Sequence, residues 1–161
     1  MNILVTVGAG FIGSNFLNHF VPRYPEHNFI NLDKLTYAAN LLNLKSIENL
    51  SNYVFKQGDT ADYSCVNKIF EQYNPDIVVH FAAESHVNRS ILGPSEFVQT
   101  NIIGTFNLLE AGRKKWLTSH NSSLPQDSLK KNKLFHHVSS EEVYGSLSLN
   151  DTNLFTEITP L

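Results

Sequence analysis

The sequence is poor in cysteine: Cys65 stands alone, so no internal disulfide can form, and no metal-binding Cys/His spacing surrounds it. A reducing cytoplasm is the expected home. Basic charge is scarce too, with 12 Lys and Arg against 15 Asp and Glu for a net charge of −3. The one basic run, Lys130-Lys131-Asn132-Lys133, sits between Ser/Asn/Pro-rich residues and an apolar strand and reads as a solvated loop. Neither nucleic acid nor a membrane surface is therefore expected as a partner. No apolar run approaches the ~20 residues that span a bilayer. The apolar start Met1–Val7 lacks a basic flank and breaks at Gly8, so it does not read as a secretory signal. Asn121-Ser-Ser123 and Asn150-Asp-Thr152 match glycosylation acceptors in form only, since a cytoplasmic chain does not meet that machinery. There is no internal repeat and no low-complexity segment.

What is present fits one domain: 161 residues at 42% hydrophobic composition can bury roughly 70% of the unfolded surface. Short β-rich runs alternate with longer amphipathic stretches, the pattern of βαβ units in an α/β, doubly wound parallel sheet. Strands are expected at Asn2–Val7, Asn28–Leu32, Tyr53–Gln57, Ile77–Phe81 and Leu134–Ser139. Helices are expected at about Gly10–Val21, Asn40–Asn49, Asp62–Tyr73 and Glu96–Trp116, and Thr118–Lys133 as a surface loop. Right-handed crossovers give the strand order 3-2-1-4-5. The sequence reaches Thr159-Pro160-Leu161 without a sixth strand or a closing helix, so residues 1–161 are expected to be a Rossmann-like domain incomplete at its C-terminal end.

Gly8-Ala9-Gly10-Phe11-Ile12-Gly13 follows the first strand directly and opens a helix. In that context the glycines let backbone N–H groups and a helix N-terminus approach a dinucleotide pyrophosphate. An acid about 20 residues on completes the pattern, and Asp33 stands there, suited to the adenosine ribose hydroxyls. It would repel a 2′-phosphate, so NAD is expected over NADP despite neighbouring Lys34.

Four further strings add specificity: Asp33-Lys-Leu-Thr-Tyr-Ala38, His80-Phe-Ala-Ala-Glu-Ser-His-Val87, Thr100-Asn-Ile-Ile-Gly-Thr105 and Phe135-His-His-Val-Ser-Ser-Glu-Glu-Val-Tyr-Gly145. Together they resemble the dTDP-glucose 4,6-dehydratases, extended short-chain dehydrogenases/reductases, over the whole chain and roughly the first half of the family's length. The resemblance implies that Phe11 and Ile12 lie on the pyrophosphate and that Asp33, Lys34, Leu35 and Thr36 surround the ribose. It further implies that Asp59 and Thr60 flank the adenine. Phe81, Ala82, Ala83 and Ser85 would line the nicotinamide side, with Thr100 nearby and Ser85 also touching substrate.

The family's Thr-Asp-Glu run reads here Ser140-Glu141-Glu142. By resemblance Glu142 is the base at the sugar's C5, Glu141 the acid at C6, and Ser140 a hydroxyl that holds the oxidised C4. Two such carboxyls need pKa values pushed apart by environment. Ser139-x-x-Glu142 also reads as a helix capping box, a purely structural alternative. His80 and His86 bracket the end of the fourth strand and read as structural histidines rather than a metal pair or proton shuttle, His136 and His137 point oppositely on a strand and cannot both face one ligand, and no metal is assigned.

Three departures from the family stand out. Val7 replaces the first glycine of the loop, and valine resists positive φ at roughly 1–2 kcal/mol. Either it stays extended with Gly8 making the turn, or cofactor binding weakens. Glu141 replaces Asp, which moves a carboxyl by about 1 Å. The family's Tyr-x-x-x-Lys pair and substrate domain are absent from these residues, so the chain is expected to be an inactive N-terminal portion of a nucleotide-sugar dehydratase that is a homodimer in full. The alternative is a non-enzymatic NAD-binding remnant or interaction module.

Overall fold

The computed structural model describes residues 1–118, 128–129, 132–148, 150, 152 and 154–159. Strands β1 (Asn2–Thr6), β2 (Asn28–Asp33), β3 (Tyr53–Gln57), β4 (Ile77–His80) and β7 (Leu134–His137) form one parallel sheet in the order β3-β2-β1-β4-β7. This is the expected doubly wound, Rossmann-like order. Because side chains alternate along a strand, β1 sends Ile3 and Val5 to one face and Leu4 to the other. On the first face they meet Leu17 of α1 (Phe11–Phe20) with Leu44 and Ile47. On the second, Leu4, Ile30 and Val78 pack on Val66 and Phe70 of α2 (Tyr63–Tyr73) and on Leu108 and Trp116 of α5 (Thr105–Trp116). Burial on both faces explains why the central strands read as nearly continuous apolar runs.

Local chemistry sets the helix ends. The Asp62 carboxylate accepts from the Ser64 and Cys65 N–H groups to open α2, and Asn74, left-handed at φ 42°, closes it. Trp116 donates from its indole nitrogen to the Pro75 carbonyl at 2.8 Å and packs its ring against Phe70, fixing the end of α5 to the start of β4.

Several elements differ from expectation. The helix expected at Asn40–Asn49 is a single 3₁₀ turn, Leu41–Leu44, followed by further turns. Its bonds run i→i+3, as from Asn43 to Asn40 and Ile47 to Leu44, and this spacing sends Leu44 and Ile47 together into the core. The Asn40 side chain accepts from Leu42 N–H, the competition with helical bonding that Asn offers. A short helix α3 (Val87–Leu92), too brief for a periodic signal, precedes α4 (Pro94–Phe97). The long helix expected at Glu96–Trp116 starts at Pro94 and contains a π-helical stretch, Val98–Gly104, before α5. There the Thr105 hydroxyl bonds the Asn101 carbonyl, and Gly104 sits so close to Thr60 that a Cβ would collide with its hydroxyl. Within the expected loop Thr118–Lys133, β5 (Leu117–Thr118) pairs antiparallel with β6 (Ser128–Leu129), while Lys130 and Lys131 lie outside the described residues.

Candidate functional site

Strand order reverses beside β1, and a groove follows the carboxyl ends of the strands there, the usual ligand position in open α/β sheets. One length is lined by Asp33, Lys34, Thr36, Asp59, Thr60 and Thr100. The other, of about 820 Å³, is lined among others by Gly10, Phe11, Ile12, Gly13, Phe81, Ser85, Ser140 and Glu142. Val7, Ala38, Ala82, Ala83 and Glu84 line both, so the two are one continuous groove. Residues scattered from 7 to 143 thus line one groove. Gly8 and Leu35 do not line it, and the Glu141 side chain lies outside the described part. Tyr37, Glu84, Asn101 and His137 also line it and had no assigned role, although all four stand inside the recognised strings.

The glycine loop is held from beneath. Val7 N–H donates to Leu32 O, Gly8 N–H to Asn31 Oδ1 at 3.0 Å, Ala9 N–H to Asp33 Oδ2 at 2.9 Å, and Gly10 N–H to Val7 O. These donors turn inward, which leaves the first N–H groups of α1, at Phe11, Ile12 and Gly13, facing the groove. A Cβ on Gly13 would strike the Val7 carbonyl, so glycine is required for this approach of helix to strand. Val7 itself has φ 55°, whereas Gly8 does not take a positive φ. The extended alternative for Val7 is thereby corrected: the valine makes the turn and carries roughly 1–2 kcal/mol of strain.

Asp33 does more than face the groove. Only 3% exposed, its carboxylate accepts from Ala9 N–H and, at 2.8 Å, from Leu35 N–H, tying the loop after β1 to the loop after β2. Leu35, left-handed at φ 61°, packs against the core instead of the groove. Lys34 Nζ lies 2.8 Å from Asp59 Oδ2, and that bond raises the lysine's pKa. Its charge is thus matched locally by Asp59.

At the other end, Glu141–Tyr144 form a 3₁₀ turn. Ser140 stands at its N-cap without a side-chain cap bond, its hydroxyl donating instead to the exposed Glu142 carboxylate. Beneath lies His80, fully buried between Thr6 and Thr105; desolvation, then the nearby His137, pushes its pKa down to about 4. His137 lines the groove and packs on His80, whereas exposed His136 points away, as strand alternation demands.

Residues 4–161 match the family model described as GDP-mannose 4,6 dehydratase. The chain belongs to this family. It is 49% identical to a dTDP-glucose 4,6-dehydratase of Haemophilus influenzae, over 99% of this chain and 45% of that protein. A dTDP-glucose 4,6-dehydratase from Bacillus anthracis, solved in complex with NAD, is 40% identical, with TM-score 0.78 over 100% of this chain and 44% of its own. The Streptomyces venezuelae dTDP-glucose 4,6-dehydratase, with NAD and TYD bound, is 39% identical with TM-score 0.80 over 100% of this chain and 45% of its own. The chain therefore spans about 45% of the length of the dehydratases it matches.

Proposed function

We propose that the chain is the NAD-binding part of a dTDP-glucose 4,6-dehydratase, converting the nucleotide sugar to its 4-keto-6-deoxy form with loss of water. The observation that carries this reading is the single groove, with Asp33 in one region and an open helix N-terminus, Ser140 and Glu142 in the other. The residues fit the cofactor. The α1 N–H groups suit the pyrophosphate, the Asp33 carboxylate keeps lone pairs for ribose hydroxyls, and Lys34 is already paired with Asp59. Bound NAD would supply the hydride acceptor that the oxidation at C4 needs and the hydride that completes the deoxy sugar.

The protein groups supply the proton chemistry. With C4 oxidised, Glu142 removes the acidified C5 proton, Glu141 protonates the departing C6 hydroxyl so that water leaves, and Ser140 holds the C4 oxygen by a hydrogen bond. The exposed Glu142 carboxylate, reached by the Ser140 hydroxyl alone among its described bonds, has the capacity this role needs. The reading includes a cytoplasmic homodimer, supported by the lone cysteine and by exposed Ile102, Phe106 and Leu109 along one helical face. Titration of the chain with NAD and NADP, and incubation of the longer reading frame with dTDP-glucose and NAD, test it. Tighter binding of NAD and formation of the 4-keto-6-deoxy product are expected. Equal affinity would overturn the ribose assignment, and a full-length protein without turnover would favour the non-enzymatic remnant.

A further inference from the structure

A chain of hydrogen bonds, buried at Thr6 and His80 and exposed at Asn101, runs along the groove, and its directions follow from counting protons. Thr6 Oγ1 accepts from both Phe81 N–H and Ala82 N–H at 3.0 Å, so its own proton goes to His80 Nδ1 at 2.9 Å. At the far side the Thr105 hydroxyl donates to the Asn101 carbonyl at 2.8 Å, so it accepts from His80 Nε2–H at 2.9 Å. Asn101 in turn accepts from Glu84 N–H at 2.8 Å and donates to Glu84 O at 2.9 Å. Each end of the Phe81–Glu84 segment, part of the groove wall, is thus bonded to this one chain. The imidazole joins β1 of the sheet to the π-helical stretch that carries Asn101.

We infer that His80 is a positioning residue: as the neutral Nε2–H tautomer it links Thr6 to Thr105 and thereby sets the groove wall Phe81–Glu84 against which the nicotinamide end of the dinucleotide lies. The neutral state is required, because a proton on Nδ1 would confront a Thr6 hydroxyl whose acceptor capacity is already filled by two N–H groups. The surroundings agree. β1 presents Thr6 and α5 presents Thr105, while the titratable group facing the ring is His137 on β7, a second base that disfavours added charge. The Thr105 hydroxyl, fixed by His80, binds the carbonyl of Asn101 four residues earlier and so ties the ring to the π-helical stretch.

The nicotinamide contact rests on the NAD reading; the linkage itself does not, and the test separates them. On the ¹⁵N-labelled 161-residue protein, the imidazole spectrum of His80, assigned by its loss in His80→Gln, should show Nε2–H and a bare Nδ1 that do not titrate between pH 8 and pH 5.5. An Nδ1–H tautomer, or titration near 6.5, overturns the inference. Thr105→Val, isosteric but unable to accept the bond, should speed hydrogen exchange at Ala82 and Glu84 by about 10-fold, whereas Thr105→Ser should leave it within 2-fold of the parent. Unchanged exchange in Thr105→Val overturns the positioning role whether or not NAD binds. NAD affinity should fall about 10-fold in Thr105→Val and return in Thr105→Ser. If the parent fails to bind NAD while exchange behaves as described, the cofactor reading falls and the linkage stands.

Discussion

The two regions of the groove differ in how their acids are bonded. In the region after β2 and β3, Asp33 and Asp59 are each bonded to backbone N–H groups or a lysine, and Asp33 is almost wholly buried. In the region that ends at the 3₁₀ turn, Glu142 is exposed and bonded only to its neighbour Ser140 among the described bonds. Acids that shape a binding surface are partly engaged by the fold, whereas an acid that must reach a substrate is left nearly free of it. The folded architecture should therefore depend strongly on the first set and hardly at all on the second.

The largest break is expected at the glycine loop. Gly13→Ala drives a Cβ into the Val7 carbonyl, where backbone must move, and should cost about 3 kcal/mol or more in denaturant unfolding. The second region contains one deeply buried titratable group, His80, whose native pKa of about 4 lies below its ordinary 6.5. Between these values the unfolded chain binds the extra proton, so stability is full above pH 6.5 and falls as pH drops towards 4, by about 3 kcal/mol at most. Unfolding midpoints that stay constant from pH 7 to 4.5 would remove this contribution. Asp33→Ala leaves two loop N–H groups without partners and should cost about 2 kcal/mol while eroding the preference for NAD over NADP.

Smaller effects sharpen the contrast. Val7→Gly relieves left-handed strain but gains chain entropy when unfolded, so stability should change by no more than about 1 kcal/mol, with NAD binding improved or unchanged. A clear loss of binding would show that the valine suits this loop. Ser140→Ala and Glu142→Gln should each shift stability by less than about 0.5 kcal/mol and yet abolish product formation in the longer protein. A destabilisation by Glu142→Gln comparable to that of Asp33→Ala would erase the distinction between the regions.

Those parts of the fold with a local signal were legible in the sequence. Apolar runs located the five sheet strands, their alternation with helices gave the order, and the spacing from Gly13 to Asp33 placed an acid at the end of β2. Features made by distant partners were not legible. The bond that ties Thr105 to the sheet is made by His80, 25 residues away, and the inward use of the Asp33 carboxylate depends on Ala9, 24 residues away. Val7 is a related case: its sequence position flagged the conflict, but the choice between extended and left-handed backbone depends on the Leu32 carbonyl and the Asn31 side chain beneath it. The recognised strings contained Tyr37, Glu84 and Asn101, yet no residue-type argument separated them from their neighbours.

The bond from Trp116 to the Pro75 carbonyl gives the molecule an optical reporter. The chain has one tryptophan, 6% exposed, at the corner where α5 meets the beginning of β4 and far along the chain from the glycine loop. Its emission should be blue-shifted while that corner holds and shift red when water reaches the indole. Because it does not line the groove, nucleotide should leave the emission wavelength unchanged. Loss of ligand binding can thus be told apart from loss of fold in a single cuvette, without attaching a dye.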